Sequence, residues 1–254
     1  MSDDLLTLRA LVVSPAGAER ALLRQGAAQA SVPLEIVEAD GAGKACAVLD
    51  RDDIDLVLLD SALPERDQIR ITQSARGLRK PAFVILLCDG ADAQGSDSTR
   101  ADCAATRPAN AGEAQKLIDR CGRSRLGFRV LLVDDSSTMR GIVRKILVAT
   151  RFQLDIAEAV DGNAAVEQIG KAGAQVVFLD YNMPGRDGLE ILSELKRARP
   201  DAQVVIMTST QDSAVAERAR KAGAYAFLKK PFYPSDVDVL LHGLFGLVPL
   251  KPKA

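Results

Sequence analysis

The 254-residue sequence contains no tryptophan, one histidine and four cysteines, none of which forms a C-x-x-C pair. Zinc sites need several cysteine or histidine ligands at characteristic spacings, and His242 has no evident partner for such a site. The chain therefore offers no zinc-site pattern. We interpret the cysteines as small buried side chains, in preference to disulfides or thiol sensors; all lie in the first half, at Cys46, Cys88, Cys103 and Cys121.

The sequence also lacks an excess of charge of either sign. It has 33 basic and 34 acidic side chains, which argues against a nucleic-acid partner because such binding needs a basic face. No apolar run reaches the roughly 18–20 residues of a bilayer span, and the N-terminus has no signal-peptide pattern. We expect a cytoplasmic protein without nucleic-acid binding or membrane insertion.

What the sequence does contain is an internal repeat with an offset of 120 positions. Residues 9–15 align with residues 129–135, and the same offset places Asp60 on Asp180. Such a repeat predicts two copies of one structural unit. Within each half, apolar runs alternate with amphipathic segments, which predicts an α/β fold with parallel, doubly wound sheets.

We expect a first domain over residues 1–122, a linker over residues 123–127 and a second domain over residues 128–254. The linker is either flexible or an extension of the preceding helix. The fourth helix of the first domain is predicted to be short or absent, because residues 89–99 are rich in Asp, Gly and Ser. Helices are predicted at residues 16–30, 41–49, 68–77, 111–121, 138–149, 162–170, 188–198, 212–222 and 235–246, with strands at residues 34–39 and 154–157 among others.

Two apolar runs in the second half end directly in carboxylates. One is followed by Asp134 and Asp135, and the other ends at Asp180. Carboxyl ends of neighbouring parallel strands form the ligand-binding edge of an open sheet. Each pair of carboxylates would repel by about 4 kcal/mol at 4 Å with an effective dielectric near 20. Mg²⁺, which prefers oxygen ligands, relieves this repulsion and leaves room for a phosphoryl group that one carboxylate attacks.

Two further strand ends add a hydroxyl at Thr208 and an ammonium group at Lys230. The segments VDDSSTMR, LDYNMPGRDGLE, MTS, KAGA and KKPF follow one another in the second half. This set resembles the receiver domain of two-component response regulators, of the CheY-like type. The resemblance implies two tandem flavodoxin-like (βα)5 receiver domains, each with a parallel five-stranded sheet.

The resemblance also implies roles for the matching residues. Asp180 would be the phosphoacceptor. Asp135, Asp180 and the backbone carbonyl of Asn182 would bind Mg²⁺ directly, and Asp134 would orient a metal-bound water.

Three other residues of the second half would complete the phosphorylation machinery. Lys230 would pair with one phosphoryl oxygen, Thr208 would hydrogen-bond another, and the Lys230–Pro231 bond would be cis. Phe227 would be the aromatic switch that responds when Thr208 moves; the alternative is a plain core phenylalanine. Two flanking residues would tune the attack of water on the acyl phosphate, namely Tyr181 and Thr210.

The first half repeats the pattern of strands and helices but lacks most of the residues that phosphorylation requires. Asp60 holds the nucleophile position, but Ser14 and Pro15 replace the acidic pair. Cys88 replaces the hydroxyl, and Arg107 replaces the lysine. Without the acidic pair, no bound cation would balance the charge of a transferring phosphoryl group. We predict a pseudo-receiver that is not phosphorylated.

We therefore expect a response regulator without an output domain, in a phosphorelay or chemotaxis-like pathway. A sensor histidine kinase or a histidine phosphotransfer protein would phosphorylate it. It would act by contact with an unidentified downstream protein, and homodimer formation stays open. It would be no enzyme beyond its own phosphorylation and dephosphorylation. The alternatives are a phosphate sink in a phosphorelay and a Mg²⁺-dependent phosphatase of the haloacid dehalogenase type.

Overall fold

In the described residues, strands and helices alternate along most of the chain, as the sequence predicts. The computed structural model of the protein describes residues 7–89, 101–209 and 213–250. Contacts divide these residues into two units: the first comprises those up to Leu126 and those from Leu241 onward, and the second runs from Gly127 to Leu240. In the described ranges, no helix is both long enough and apolar enough to cross a membrane.

Nine elements occupy the described residues of the first unit that precede Gly127. They are β1 (Leu8–Val13), α1 (Gly17–Ala28), β2 (Leu34–Ala39), α2 (Ala42–Leu49), β3 (Leu56–Asp60), α3 (Glu65–Arg76), β4 (Phe83–Cys88), β5 (Cys103–Thr106) and α4 (Ala111–Arg125). The final strand of the chain, given below, joins the same sheet.

The remaining elements follow in chain order. They are β6 (Phe128–Val133), α5 (Ser137–Val148), β7 (Leu154–Ala159), α6 (Gly162–Ala172), β8 (Val176–Asp180), α7 (Gly188–Ala198), β9 (Gln203–Thr208), α8 (Ser213–Lys221), β10 (Ala226–Lys229), α9 (Pro234–Leu244) and β11 (Val248–Pro249).

The sheet of the first unit has the strand order β11-β5-β4-β3-β1-β2. Its five predicted strands pair in parallel, and β3 and β4 are buried along their whole length. Apolar clusters cover both faces of this sheet. Strands buried on two faces need continuous apolar runs, which is the pattern that the sequence has at these positions.

The sixth strand of this sheet, β11, was not predicted. It pairs antiparallel with β5, with Val248 opposite Ala104, and the neighbouring Leu247 is buried in the core of the first unit. A strand of two residues has no recognisable apolar alternation, so the sequence pattern gives no sign of it.

The sheet of the second unit has five parallel strands in the order β10-β9-β8-β6-β7. Residue Val133 at the end of β6 pairs with Leu179 near the end of β8. The order of the strands reverses between these two neighbours, and a crevice forms at such a switch point outside the carboxyl ends of the strands. The fold therefore directs the ends of β6 and β8 toward one site.

Helix boundaries agree with the predicted ones to within a few residues, with one larger difference. α4 continues to Arg125 and takes in most of the predicted linker. Asn110 begins this helix, and its side chain accepts a hydrogen bond from the backbone N–H of Glu113. The predicted loss of the fourth helix in the first domain concerns residues that lie almost entirely outside the described ranges, as do Thr210 and the predicted helix start at residue 212.

Candidate functional site

Three carboxylates meet at the carboxyl edge of the second sheet. Asp134 follows β6 directly, and Asp180 is the last residue of β8. Together with Asp135, they offer carboxylate oxygens that all lie within 4.8 Å of one another. Asp134 and Asp180 are buried and Asp135 is exposed, so that the cluster has a closed inner side and an open outer side.

Lys230 supplies a positive charge to this cluster. Its Nζ lies 3.0 Å from Asp134 Oδ2 and 3.1 Å from Asp180 Oδ2. The backbone N–H of Lys230 donates a hydrogen bond to the carbonyl of Thr208, which fixes the end of β10 against β9. Burial raises the pKa of the Asp134 carboxyl and outweighs the opposing hydrogen bond from Lys230. The Lys230–Pro231 peptide bond is cis, as predicted.

Thr208 and Asn182 lie at the same edge. Thr208 ends β9 and is fully buried, and the Asn182 side-chain amide donates a hydrogen bond to its hydroxyl oxygen over 3.4 Å. The backbone N–H of Asn182 donates to Asp180 Oδ1 over 3.3 Å. Phe227 on β10 packs, partly buried, against the core of the second unit, and its role as a switch stays a prediction.

The loop between β8 and α7 depends on glycine at two positions. Gly185 has a φ of 86°, which side chains other than glycine rarely adopt. At Gly188, an added Cβ would lie 3.0 Å from both the Cα and the carbonyl oxygen of Tyr181. The Asp187 side chain accepts a hydrogen bond from the backbone N–H of Leu189 and caps α7. These features hold the loop close to Asp180.

The donor set fits the Mg²⁺ ion that the resemblance implies. It consists of carboxylate oxygens from Asp134, Asp135 and Asp180, with the backbone carbonyl of Asn182 in the adjoining loop. Hard oxygen donors of this kind are those that Mg²⁺ prefers. Three carboxylates against one ammonium group also leave an excess of negative charge at the cluster, which a divalent cation would balance.

The corresponding edge of the first sheet has different chemistry. Asp60 ends β3 and is buried, and its carboxylate accepts hydrogen bonds from Arg107 over 2.7 Å and from Ser14 over 2.6 Å. Ser14 Oγ also lies 2.6 Å from Glu19 Oε2. Burial alone would raise the pKa of the Asp60 carboxyl, but the hydrogen bonds from Arg107 and Ser14 outweigh it and hold that pKa at about 2.

The sequence analysis missed Glu19 and a pair of supporting arginines. Arg140 on α5 donates to the carbonyl of Asp134 and pairs with Glu158. Arg20 on α1 donates to the carbonyl of Ser14 and pairs with Glu38. The repeat offset of 120 positions places Arg20 on Arg140 and Glu38 on Glu158. The repeat was therefore a signal by which the two supporting arginines could have been found.

Comparison with known proteins identifies the second unit. The family described as the response regulator receiver domain matches residues 130–242. The chain is 33% identical over 112 residues to the chemotaxis protein CheY of Thermotoga maritima, covering 44% of this chain and 92% of that protein. It is 40% identical over 114 residues to CheY of Halobacterium salinarum, with the same coverage.

A solved structure extends the fold to nearly the whole chain. The structure of a probable two-component system response regulator/GGDEF domain protein aligns with 94% of this chain and 99% of its own, with a TM-score of 0.53 and 23% identity. At this identity the likeness concerns the fold alone. Together with the matches to the second unit, the observations show that the chain belongs to the response regulator family of two-component signalling, with a CheY-like receiver domain in its second half.

Proposed function

We propose that this protein is phosphorylated on Asp180 and signals through contact with another protein. The observation that carries the proposal is the position of Asp180 at the carboxyl edge, within 3.1 Å of Lys230 and clustered with Asp134 and Asp135. The phosphoryl donor would be a phosphohistidine on a sensor histidine kinase or on a phosphotransfer protein, the donor class with which receiver domains react.

In the transfer step, a carboxylate oxygen of Asp180 attacks the phosphorus atom. A bond from that oxygen to phosphorus forms, the bond from phosphorus to the donor imidazole breaks, and the imidazole keeps the electron pair. Mg²⁺, held directly by Asp135, Asp180 and the carbonyl of Asn182 with Asp134 beside them, would supply positive charge for the phosphoryl oxygens.

Lys230 and Thr208 act on the phosphoryl group during and after transfer. Lys230 already contacts Asp180, so its ammonium group is close enough to pair with an oxygen of a phosphoryl group bound there. The Thr208 hydroxyl can donate to another oxygen, which draws it toward Asp180. Phe227, one strand away on β10, then has room to change its rotamer, and this couples the phosphate to the surface of the second unit.

A protein partner is supported by exposed apolar side chains near the carboxyl-terminal elements of the second unit. Tyr225 precedes β10, and Tyr233 and Val239 lie on or beside α9, all with more than a third of their surface exposed. Side chains of this kind are enriched in protein interfaces. A phosphate sink would share the chemistry at Asp180 and would lack a partner that depends on phosphorylation.

In the first unit, we propose that Asp60 is not phosphorylated. Its carboxylate is occupied by Arg107 and Ser14. Neither Ser14 nor Pro15 offers the carboxylates that hold a cation in the second unit. The first unit would then serve in dimerisation, docking or regulation.

Phosphotransfer tests the proposal. Acetyl phosphate with Mg²⁺, or a histidine kinase, is applied to the wild-type protein and to the variants Asp180→Asn and Asp60→Asn, and the mass of each protein is measured. We expect one added phosphoryl group on the wild type and on Asp60→Asn, and none on Asp180→Asn. Labelling that persists in Asp180→Asn would overturn the assignment, and turnover of a small phosphoester would favour the phosphatase alternative.

A further inference from the structure

In the pocket at the carboxyl edge of the first sheet, two carboxyl groups lie within hydrogen-bond distance of a single hydroxyl group. Ser14 Oγ lies 2.6 Å from Asp60 Oδ2 and 2.6 Å from Glu19 Oε2. All three side chains are buried, with at most 8% of each residue exposed. A hydroxyl group has one proton and can donate to one of the two carboxyl groups only.

The second short contact therefore needs a proton from one of the carboxyl groups. Asp60 already accepts from the Arg107 guanidinium and from the backbone N–H of Ala62 over 2.8 Å, so it is the better-satisfied anion. Burial raises the pKa of the Glu19 carboxyl, and the neighbouring Asp60 adds to this rise. The proton belongs on Glu19 Oε2, which donates to Ser14 Oγ, while Ser14 donates to Asp60.

Arg107 completes the pocket from the end of β5. Its Nη2 lies 2.7 Å from Asp60 Oδ1, its Nη1 lies 2.6 Å from Glu19 Oε1, and its Nε lies 2.7 Å from Asp89 Oδ1. Asp89 follows β4, so the three contacts join the ends of β3, β4 and β5 to the first turn of α1. The planar guanidinium donates hydrogen bonds to Asp60 and Asp89 in a fixed fork, which an ammonium group at the end of a lysine could not arrange in the same way. Its contact with Glu19 Oε1 is one of charge without a hydrogen bond.

We propose that the Arg107 guanidinium, together with a proton held on Glu19, takes the place of a divalent cation in the first unit. The pocket is then balanced in charge and filled by its own side chains. It binds neither Mg²⁺ nor a phosphoryl group, and it ties Asp89, the residue that follows β4, to Arg107. The inference concerns the first unit and stands whether or not Asp180 is phosphorylated.

The groups around Glu19 come from every element that meets at this edge. The charged ones are Asp60 and Arg107, with Asp89 beyond Arg107 and Arg20 beside Glu19 on α1. Arg20 is itself held by Glu38 and by the carbonyl of Ser14. Cys88 ends β4 and carries the thiol at this edge. In the second unit, the position equivalent to Glu19 is Met139, which cannot carry a proton.

Infrared spectroscopy of the full-length protein at neutral pH tests for the proton. The difference spectrum between the wild type and Glu19→Gln should contain the carbonyl band of a protonated carboxylic acid. Glu65→Gln is the matched control, because Glu65 is an exposed glutamate in the first turn of α3, and its difference spectrum should contain carboxylate bands only. A Glu19→Gln difference spectrum with carboxylate bands only would overturn the proposal.

Hydrogen exchange gives a second, independent measure. A carboxyl whose pKa is raised by folding contributes stability below its unfolded pKa of about 4.3 and loses it as the pH rises through the folded value. The protection of residues 10–19 in the wild type, relative to Glu19→Gln, should therefore fall at least twofold as the pH rises from about 4.3 through the folded value. A ratio that stays constant over this range would contradict the protonated state.

Titration with Mg²⁺ alone tests the replacement of the cation. In a protein that carries Asp135→Asn and Asp180→Asn, calorimetry should detect no binding at millimolar Mg²⁺. A remaining site that disappears when Asp60→Asn is added would overturn the proposal. Hydrogen exchange on Arg107→Lys tests whether the fork of donors is needed, and we expect the protection of residues 10–19 to fall by about tenfold or more in that variant. Protection equal to that of the wild type would overturn the role given to the guanidinium.

Discussion

Lys230 Nζ lies 3.1 Å from Asp180 Oδ2 in the second unit. The same atom lies 3.0 Å from Asp134 Oδ2, so that one ammonium group contacts two buried carboxylates and neutralises part of their charge. A divalent cation would be attracted to the same carboxylates as the ammonium group, and the two positive charges would repel each other. Lys230 therefore favours the phosphoryl group and opposes the metal ion.

The variant Lys230→Met should separate these two effects. Removal of the ammonium charge should tighten Mg²⁺ binding by roughly fivefold, which corresponds to about 1 kcal/mol of repulsion. Phosphorylation by acetyl phosphate should become at least tenfold slower, because a group that stabilises phosphoryl charge is lost. Calorimetry and a phosphorylation time course measure the two quantities.

Lys229→Met provides the matched control for this experiment. Lys229 is the preceding residue, has the same charge and is exposed. It should change neither the Mg²⁺ affinity nor the rate of phosphorylation. Weaker Mg²⁺ binding in Lys230→Met would show that the lysine organises the carboxylates more than it repels the cation, contrary to the expectation.

Arg140 is expected to position the metal-binding turn. Its Nη1 donates to the carbonyl oxygen of Asp134 over 2.8 Å, and its Nε donates to Glu158 over 2.8 Å. The side chain is mostly buried, so the turn between β6 and α5 has a firm support. Supporting groups around metal ligands commonly contribute about tenfold or more to metal affinity. Arg140→Gln should accordingly weaken Mg²⁺ binding about tenfold, as measured by calorimetry.

The neighbouring Arg144 gives a control within the same helix. Arg144 also pairs with Glu158, over 3.2 Å, but its other hydrogen bond is to the carbonyl of Ile156. Arg144→Gln should leave the Mg²⁺ affinity within about twofold of the wild type, in line with the small effect of an exposed ion pair. Equal losses in the two variants would mean that Glu158 is the important group, and the positioning role of Arg140 would be wrong.

Asp60 should make the first unit sensitive to strong acid. Its pKa is held at about 2 by Arg107 and Ser14, against 3.8 for a free aspartate. A carboxyl whose pKa is lowered by folding contributes stability above its unfolded pKa and loses it as the pH falls through the folded value. Between about pH 4 and about pH 2, the first unit should lose about 2 kcal/mol of unfolding free energy from this group.

Hydrogen exchange of the first unit across this range measures the effect. The difference in stability between the wild type and Asp60→Asn should shrink as the pH falls toward about 2. Asp53→Asn, a change at an exposed aspartate in the same unit, should track the wild type at every pH. A constant difference between wild type and Asp60→Asn would contradict the lowered pKa.

The sequence was sufficient to predict how the second site is assembled. Asp134, Asp180 and Thr208 each stand at the end of a continuous apolar run, and parallel strands bring such ends to a common edge. The positions along the chain therefore determine the neighbourhood in space. Lys230 could be placed by the same reasoning, because it directly follows a short apolar strand.

For the first site, the sequence predicted only which groups of the second site are replaced, and not the contacts that the replacing residues make. Glu19 lies in the first turn of a helix, where acidic residues are usual for reasons of the helix dipole. Nothing in its spacing indicates that it turns inward toward Asp60. The three contacts of Arg107 join residues from four separate parts of the chain, and such a set depends on side-chain packing that no periodicity encodes.

Residues 241–250 have a consequence for how the protein is made. β11 covers the outer strand of the first sheet, and Leu247 fills part of its core. A ribosome produces the whole second unit before it releases these residues. The first unit is translated first, but its sheet is completed last. During synthesis β5 is therefore an unpaired edge strand, to which a strand of another chain could add.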